Sequence, residues 1–289
     1  MLSLHYTPGN SNNIIMKKNL VLLFFIFFSV FSFAQKGKIY NSFEEAFRNP
    51  AQVYHIKIAY KNLDSIPSDI NKLVNLEKLE LNNNDLKTIP NELCSLPNLK
   101  VLNLFRNKLI SLPANLGDLK NLEKCLLSSN RLKQLPASIG QLKNLIELSV
   151  KDNILTSLPD EICGLRKLEQ LYLSYNDIKV LPDSMGNLVS LEHLYIGNND
   201  LLTLPFSLSK LTNLKYFYLG RNELSEFPSA ICSMINLKEL DIAYCGSMGF
   251  LPHCIKNIKL LDVLIIDNGQ SLPFPKSLLH NPSLKLIIQ

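Results

Sequence analysis

Apolar residues recur along most of the chain with a single period. From Leu76 to Leu237 a leucine follows every 23 residues, Val53 stands 23 residues earlier, and Leu261 follows 24 residues later. A last unit begins at Leu284. Each unit reads LxxLxLxxNxLxxLPxxIxxLxx, as in LKVLNLFRNKLISLPANLGDLKN at residues 99–121. This period predicts ten near-complete repeats and a truncated eleventh over residues 53–289.

The positions within a repeat predict its local structure. The LxxLxL segment is typical of a short strand whose alternate apolar side chains enter a core. The Pro that follows fixes the backbone as the chain enters a turn or a short helix. Because no repeat can bury its apolar face alone, we expect a stack with one continuous core and two exposed ends.

Position nine of the repeat is asparagine in seven repeats. A side-chain amide there can bond backbone groups where the chain turns off the strand, and stacking would align the amides in a ladder. The seven residues are Asn84, Asn107, Asn130, Asn153, Asn176, Asn199 and Asn222. Lys61, Cys245 and Gly269 replace it elsewhere, and the ninth repeat has one extra residue within 245–251. We favour a decaying terminal repeat there over a functional loop.

The amino terminus has a different pattern. Two lysines precede an apolar run of 14 residues, 20–33, and small residues stand at −3 and −1 relative to a cut before Gln35. This order predicts a secretory signal peptide over residues 1–34, with Met16 a better start than Met1. A membrane-spanning helix needs about 20 apolar residues, so we expect cleavage and no stable membrane anchor. An uncleaved anchor is the alternative.

The two ends of the stack differ. We assign residues 36–52 to a helical amino-terminal cap, because Ser42 and Glu45 fit a capping box. The apolar face of that helix is expected to cover the first strand. At the other end, the residues from Leu284 begin a strand that no polar capping unit follows, which predicts an open sheet edge.

The repeat resembles the leucine-rich repeat family in its 23-residue form, in the style of the Ras-group proteins. The resemblance covers residues 53–289. It implies an α/β fold, a solenoid curved like a horseshoe, with a parallel β-sheet on the concave face and short helices or turns on the convex face. Ras-group members are intracellular, whereas the amino terminus here predicts export.

Composition and cysteine placement narrow the class of protein. At 46% hydrophobic and 19% charged residues, the chain is not a disordered tail. Its formal charge of +5 is too small and too dispersed to indicate nucleic-acid binding. Cys94, Cys163 and Cys232 share one position three repeats apart, which at about 4.8 Å per strand exceeds disulfide reach. Only Cys232 and Cys254, in adjacent repeats, could pair, and the sequence leaves that open.

No catalytic chemistry is predicted. The sequence has no GxxxxGK, GxGxxG or HExxH motif, and its 5 histidines lack metal-ligand spacing. We therefore predict no catalytic residues, no metal and no cofactor, and we do not expect an enzyme.

The outward strand positions hold the best candidate site. Position five places Tyr172, Tyr195 and Tyr218 in consecutive repeats of the concave face. Neighbouring outward positions add Tyr175, His193, Tyr216, Arg221 and Tyr244, and earlier repeats contribute a secondary set of Phe105, Arg106 and Leu126. Tyr and Arg dominate interface energetics, so we predict ligand contact. The alternative is that neighbouring tyrosines only stack on one another within the sheet.

Together these features predict a non-catalytic exported recognition protein, either secreted or held in the periplasm or at the cell surface. Its partner is predicted to be a protein that presents a loop or an extended peptide to the concave face. A polysaccharide bound by the tyrosine ladder is one alternative, and an intracellular Ras-group-like scaffold is another. Nucleic acid is not expected as a partner, and a hydrolase is the least favoured function.

Overall fold

A computed structural model describes residues 37–246, 251–268 and 283–289, which form one parallel sheet of 12 strands in chain order. Repeats pair in register, so that Leu148 lies opposite Leu171 and Leu171 opposite Leu194. Short 3₁₀ segments return the chain on the other side of the sheet. The predicted leucine-rich-repeat solenoid is confirmed. The outward face of the strands is called the concave face below.

The elements are short and regularly spaced. The strands are β1 Ile39–Tyr40, β2 His55–Lys57, β3 Lys78–Glu80, β4 Val101–Asn103, β5 Lys124–Leu126, β6 Glu147–Ser149, β7 Gln170–Tyr172, β8 His193–Tyr195, β9 Tyr216–Tyr218, β10 Glu239–Asp241, β11 Val263–Ile266 and β12 Lys285–Ile288. An α-helix, α1, spans Phe43–Phe47. The 3₁₀ segments are Pro50–Gln52, Ser68–Lys72, Asn91–Ser95, Leu116–Asp118, Ala137–Gln141, Asp160–Gly164, Met185–Asn187, Phe206–Lys210, Ser229–Ser233 and His253–Asn257.

One core runs through the stack. In each of the ten near-complete repeats the side chains at positions one, four and six are buried, as Leu168, Leu171 and Leu173 illustrate. Phe217 replaces leucine at position four and is the bulkiest fully buried side chain of the described residues. Since alternate strand residues point to opposite faces, burying these positions leaves positions three and five on the concave face.

The front of the stack contains the predicted helix and an extra strand. The Ser42 hydroxyl accepts a hydrogen bond from the Glu45 backbone N–H at 3.2 Å, and Phe43 and Ala46 are buried. The sequence reasoning missed β1, which pairs with β2. Two residues are too few to show an alternating pattern. The predicted signal peptide lies outside the described residues.

Buried amides join each repeat to the one before it. The Asn153 Oδ1 accepts from the Leu132 backbone N–H at 2.9 Å, and its Nδ2 donates to the carbonyls of Leu127 and Val150 at 3.1 and 3.0 Å. The other position-nine asparagines repeat this arrangement at Asn84, Asn107, Asn130, Asn176, Asn199 and Asn222. Backbone groups that leave the strand are therefore paired inside the stack.

The ninth repeat preserves part of this pattern without asparagine. The Cys245 thiol donates to the Leu219 carbonyl of the preceding repeat at 3.1 Å. The position-nine asparagines donate to the equivalent carbonyl, as Asn153 does to Leu127. The Leu224 backbone N–H, deprived of an amide oxygen, donates to the Cys245 carbonyl at 2.7 Å. Gly246 follows with a φ of +93°, a left-handed conformation that favours glycine. Gly269, the departure in the tenth repeat, lies outside the described residues.

A second asparagine ladder occupies the last position of the repeat, and the sequence reasoning overlooked it. The Asn144 Nδ2 donates to the Lys120 carbonyl of the preceding repeat at 2.9 Å, at an exposed turn. The same bond recurs at Asn75, Asn98, Asn121, Asn213 and Asn236. The recurrence of asparagine 23 residues apart was the signal that could have revealed it.

The carboxyl-terminal end departs from the sequence expectation in register. Leu286 pairs with Leu264 and Ile288 with Ile266, so Leu284 stands at position two of its unit rather than position one. A shift of one residue exchanges the two faces of a strand, and alternate apolar residues select the register. Leu284 and Leu286 are only partly buried against the core, because β12 is the last strand of the sheet.

Cysteines take two states. Cys232 and Cys254, whose pairing the sequence left open, form a disulfide between adjacent 3₁₀ segments with a Cα–Cα distance of 5.5 Å. Cys94, Cys125, Cys163 and Cys245 are free and buried. Burial raises the pKa of the Cys163 thiol to about 11, which disfavours the thiolate that reacts.

We expect Asn153→Ala to lower the free energy of unfolding by about 2–4 kcal/mol, because it leaves one buried N–H and two buried carbonyls without their amide partner. Asn144→Ala is the matched control, since it removes a single exposed hydrogen bond and should cost less than about 1 kcal/mol. Urea unfolding of both variants checks this. Equal losses of unfolding free energy in the two variants would show that the buried asparagine ladder does not stabilise the stack more than the exposed one.

Candidate functional site

Three tyrosines stack across adjacent strands of the concave face. The ring centroids of Tyr172 and Tyr195 are 5.0 Å apart, and those of Tyr195 and Tyr218 are 4.5 Å apart, with interplanar angles of 20° and 7°. In-register parallel strands place equivalent residues about 4.8 Å apart, which is a stacking distance for rings. Both faces of the Tyr195 ring are therefore covered by its neighbours.

A second aromatic pair lies beside this ladder. His193 stacks on Tyr216 with centroids 4.6 Å apart, and its ring is 6.3 Å from that of Tyr195. The Nδ1 of His193 is buried and has no hydrogen-bond partner among the residues that the structure describes. Burial lowers the pKa of His193, and the nearby Glu192 carboxylate partly opposes this effect.

The outer tyrosines of the ladder are held by hydrogen bonds. The Tyr172 hydroxyl donates to the Gln170 Oε1 at 2.9 Å, and the Tyr218 hydroxyl donates to a Glu239 carboxylate oxygen. Burial and this bond to Glu239 raise the pKa of Tyr218. Only Tyr195 makes no side-chain hydrogen bond within the described part of the chain, so its hydroxyl is available to a ligand.

Position eight of the repeat is left-handed. From the first repeat to the ninth this residue has a φ of 52–60°, at Tyr60, Asn83, Arg106, Ser129, Asp152, Tyr175, Asn198, Arg221 and Tyr244. Left-handed backbone is unusual for bulky residues, but here each amide donates to the next repeat, as Arg221 does to the Ala243 carbonyl at 2.8 Å. The Arg221 guanidinium lies 4.9 Å from the Tyr244 ring centroid, a cation–π contact.

The ladder and the position-eight row enclose a trough. Its floor is the small position-seven residues Ser174, Gly197, Gly220 and Ala243. One wall is Tyr195, Tyr218 and Asp241, and the other is Tyr175, Asn198, Arg221 and Tyr244. The enclosed volume is about 240 Å³, and Gln289 also lines the trough. The sequence reasoning identified the aromatic walls and missed the floor, although two glycines 23 residues apart marked it.

Asp241 continues the ladder with a carboxylate. Its Oδ1 accepts from the Ala243 backbone N–H at 3.0 Å. Burial raises the pKa of Asp241, while that hydrogen bond and the Arg221 charge oppose the shift. At this end of the trough the partly buried Asp241 carboxyl group lies on one wall and the Arg221 guanidinium lies on the other.

The predicted site residues fall into two groups. Tyr175, Tyr195, Tyr218, Arg221 and Tyr244 line the trough, while Tyr172, His193 and Tyr216 border it through ring stacking. The secondary set, Phe105, Arg106 and Leu126, belongs to the repeats of β4 and β5 and does not line the trough. Arg106 instead lies over Phe105, with 5.3 Å from its guanidinium carbon to the ring centroid.

A second hollow, of about 570 Å³, lies among the 3₁₀ segments around Cys163 and is lined by polar and small residues without an aromatic ring. Within 37–246, 251–268 and 283–289, no three His, Cys, Asp or Glu side chains are grouped as metal ligands. In those same ranges, no helix combines the length and hydrophobicity that crossing a bilayer requires.

Family models match three parts of the chain. A leucine-rich repeat region model matches residues 124–203, a leucine rich repeat model matches 51–109, and a two-copy leucine rich repeat model matches 189–232. Comparison with curated proteins gives no match.

Solved structures with the same architecture are numerous. A leucine-rich repeat protein of Leptospira interrogans is 31% identical, with 87% of this chain and 76% of that chain covered and a TM-score of 0.61. The PEPR1–AtPEP1 complex is 29% identical, covering 83% and 36% of the two chains, with a TM-score of 0.72. The ectodomain of the Arabidopsis thaliana receptor kinase GASSHO1/SCHENGEN3, in complex with Casparian strip integrity factor 2, is 27% identical, covering 82% and 33%, with a TM-score of 0.59. The chain thus spans about a third of the length of either receptor chain.

We expect His193 to titrate with a midpoint below the ordinary 6.5, because burial disfavours the imidazolium. Between that midpoint and 6.5 the unfolded chain binds more protons than the folded protein, so stability from neutral His193 is lost as pH falls through this window. NMR titration of the imidazole gives the midpoint, and Glu192→Gln should lower it further. A midpoint at or above 6.5 would contradict the burial argument.

Proposed function

The chain belongs to the leucine-rich repeat family, and on that premise we propose that it is a non-catalytic recognition protein that binds an extended peptide segment of a protein partner in the trough. The single observation that carries this proposal is the trough itself, with tyrosines on both walls, Arg221 on one wall and a floor of small residues. Tyr and Arg bury large areas and keep polar tips, which is why they concentrate at binding sites.

The relatives support a protein ligand. PEPR1 and the GASSHO1/SCHENGEN3 ectodomain are both seen in complexes, the latter with Casparian strip integrity factor 2. Their partners are carried over here only as a class, since this chain covers 36% and 33% of those two chains.

The stacking geometry favours a peptide over a polysaccharide. A sugar ring packs on the exposed face of an aromatic ring, but both faces of Tyr195 are occupied by Tyr172 and Tyr218. Tyr195 therefore offers a ligand its ring edge and its hydroxyl. Edges and a hydroxyl suit the apolar side chains and carbonyl groups of a peptide.

Two observations support export to a secreted, periplasmic or cell-surface location. The amino terminus has the composition of a cleavable signal peptide. The Cys232–Cys254 disulfide is the kind of bond that forms and persists in oxidising compartments. An intracellular Ras-group-like scaffold would keep these cysteines reduced, so this alternative is less well supported.

We expect peptides selected from a random display library on the wild-type protein to bind the Tyr195→Ala/Tyr218→Ala variant at least tenfold more weakly. The variant removes both tyrosine rings from one wall of the trough and so takes away contact area for the ligand, and tenfold corresponds to about 1.4 kcal/mol. Fluorescence anisotropy of the selected peptides measures the affinities, and a glycan array run on the same proteins tests the polysaccharide alternative.

The matched control is Tyr60→Ala/Phe206→Ala, which removes two aromatic rings that are each 73% exposed and do not line the trough. This variant should bind as the wild type does. If both double variants bind alike, the trough is not the binding site. Glycan binding that depends on Tyr195 and Tyr218, in the absence of peptide binding, would replace the peptide with a sugar.

We also expect the protein recovered from its source to begin at Gln35 and to carry one disulfide. Mass spectrometry of the intact protein before and after reduction, with alkylation of free thiols, identifies the amino terminus and the state of Cys232 and Cys254. Recovery from a cytosolic fraction with residues upstream of Gln35 and six reduced cysteines would refute export.

A further inference from the structure

Three backbone donors on the trough floor have no partner. The N–H groups of Ser174, Gly197 and Gly220, at position seven of consecutive repeats, make no hydrogen bond to any residue that the structure describes. The burial of all three residues makes unpaired N–H groups costly unless water or a ligand reaches them.

These donors face the concave surface. Where position five is an aspartate or asparagine, its side chain accepts from the same N–H: Ala243 donates to Asp241 at 3.0 Å, and Phe105 donates to Asn103 at 3.1 Å. Position-five side chains stand on the concave face. An N–H that reaches them is therefore directed there, and tyrosine at position five leaves it without an acceptor.

The carbonyls of the floor are already used. The Ser174 carbonyl accepts from the Asp152 N–H at 2.9 Å, and the Gly197 carbonyl accepts from the Tyr175 N–H at 3.1 Å. The Gly220 carbonyl likewise accepts from the preceding repeat, at 2.9 Å. The floor thus presents a row of donors with its own carbonyls engaged.

Glycine keeps these donors uncovered. Neither Gly197 nor Gly220 has a positive φ, but a Cβ on Gly197 would lie 2.6 Å from the Gly220 carbonyl oxygen, so close packing between the repeats favours glycine there. Phe105 and Lys151 occupy position seven in the repeats of β4 and β6, outside the trough. The two glycines clear the floor directly beneath the tyrosine wall.

Resting on the proposed function, we propose that the peptide bound in the trough is a proline-rich segment in the polyproline II conformation. Proline has a carbonyl and no N–H, so such a backbone presents acceptors without donors. When the N–H groups of the trough floor bind the carbonyls of such a ligand, the ligand has no N–H of its own that would be buried without a partner. Aromatic-lined grooves are also the surfaces on which polyproline II segments dock.

The spacing of the donors fits this ligand. The N–H groups of Ser174 and Gly220 are two strand steps apart, which is about 9.6 Å at about 4.8 Å per step. A polyproline II helix rises about 3.1 Å per residue with three residues per turn, so carbonyls on one side recur about every 9.3 Å. Successive carbonyls on that side therefore meet the Ser174 and Gly220 donors, and the Gly197 donor lies between them. In a fully extended strand, carbonyls on one side recur at about 6.8 Å and match neither one step nor two.

The direct test is an NMR titration of the mature protein with an oligoproline of about ten residues. The amide protons of Ser174 and Gly220 should move downfield as they donate to ligand carbonyls, while that of Gly197, midway between them, should move less. The amide of Phe105, already bonded to Asn103, is the internal control and should not move. A glycine–serine peptide of the same length should leave all four unchanged.

A variant series separates the donors from the aromatic ring. Tyr218→Ala and Tyr218→Asn both remove the ring, but the asparagine can accept from the Gly220 N–H as Asn103 does from Phe105. We expect oligoproline to bind Tyr218→Asn at least threefold more weakly than Tyr218→Ala. Tyr218→Phe retains the ring and the open donor and should bind within threefold of wild type.

Equal binding to the alanine and asparagine variants, or equal amide shifts with the glycine–serine peptide, would overturn the inference. Library peptides that bind through Tyr195 and Tyr218 without proline enrichment would also overturn it, while leaving the proposed peptide-binding function in place. Enrichment of acidic residues that lose affinity on Arg221→Gln but not on Arg106→Gln would identify a carboxylate ligand instead.

Discussion

The in-register pairing of parallel strands is the constraint on which the rest of this structure depends. It places residues that are 23 positions apart in the chain at about one strand spacing from each other, as with Tyr172, Tyr195 and Tyr218. Every repeated residue therefore becomes a row across the sheet. Leucine rows form the core, asparagine rows tie the repeats together, and tyrosine rows form a stacked wall.

Backbone hydrogen bonding decides what each row can do. The buried amide of Asn153 and its counterparts supply partners to groups that leave the strand, so the core can end without unpaired polar atoms. At position five, the side chains of Asn103 and Asp241 likewise accept a hydrogen bond from the backbone N–H two residues later. Where tyrosine stands at position five, no such acceptor is present, and the N–H groups of the buried residues Ser174, Gly197 and Gly220 lie unpaired beside an aromatic wall.

Sequence reasoning succeeded for the rows of leucine, position-nine asparagine and tyrosine, and it failed for the second asparagine ladder, for a short segment and for the phase of the last strand. The solenoid, the strand positions and the outward placement of Tyr195 and Arg221 followed from the period alone. The two-residue strand β1 and the one-residue phase shift at Leu284 did not, since each is set by pairing with a neighbouring strand. The left-handed backbone at position eight was also missed, because tyrosine and arginine show no intrinsic preference for it.

By itself the sequence determined the repeat length, the fold class, the core positions and the rows of asparagine and tyrosine, because these depend on spacing along one chain. Only the tertiary structure decided that two rows enclose a trough, that glycines form its floor, that three N–H groups lie open within it, and that Cys232 bonds to Cys254. The physical reason is that a periodic pattern specifies which residues share a row. Distances between rows depend on how the backbone turns after each strand, and hydrogen bonds between repeats set that turn.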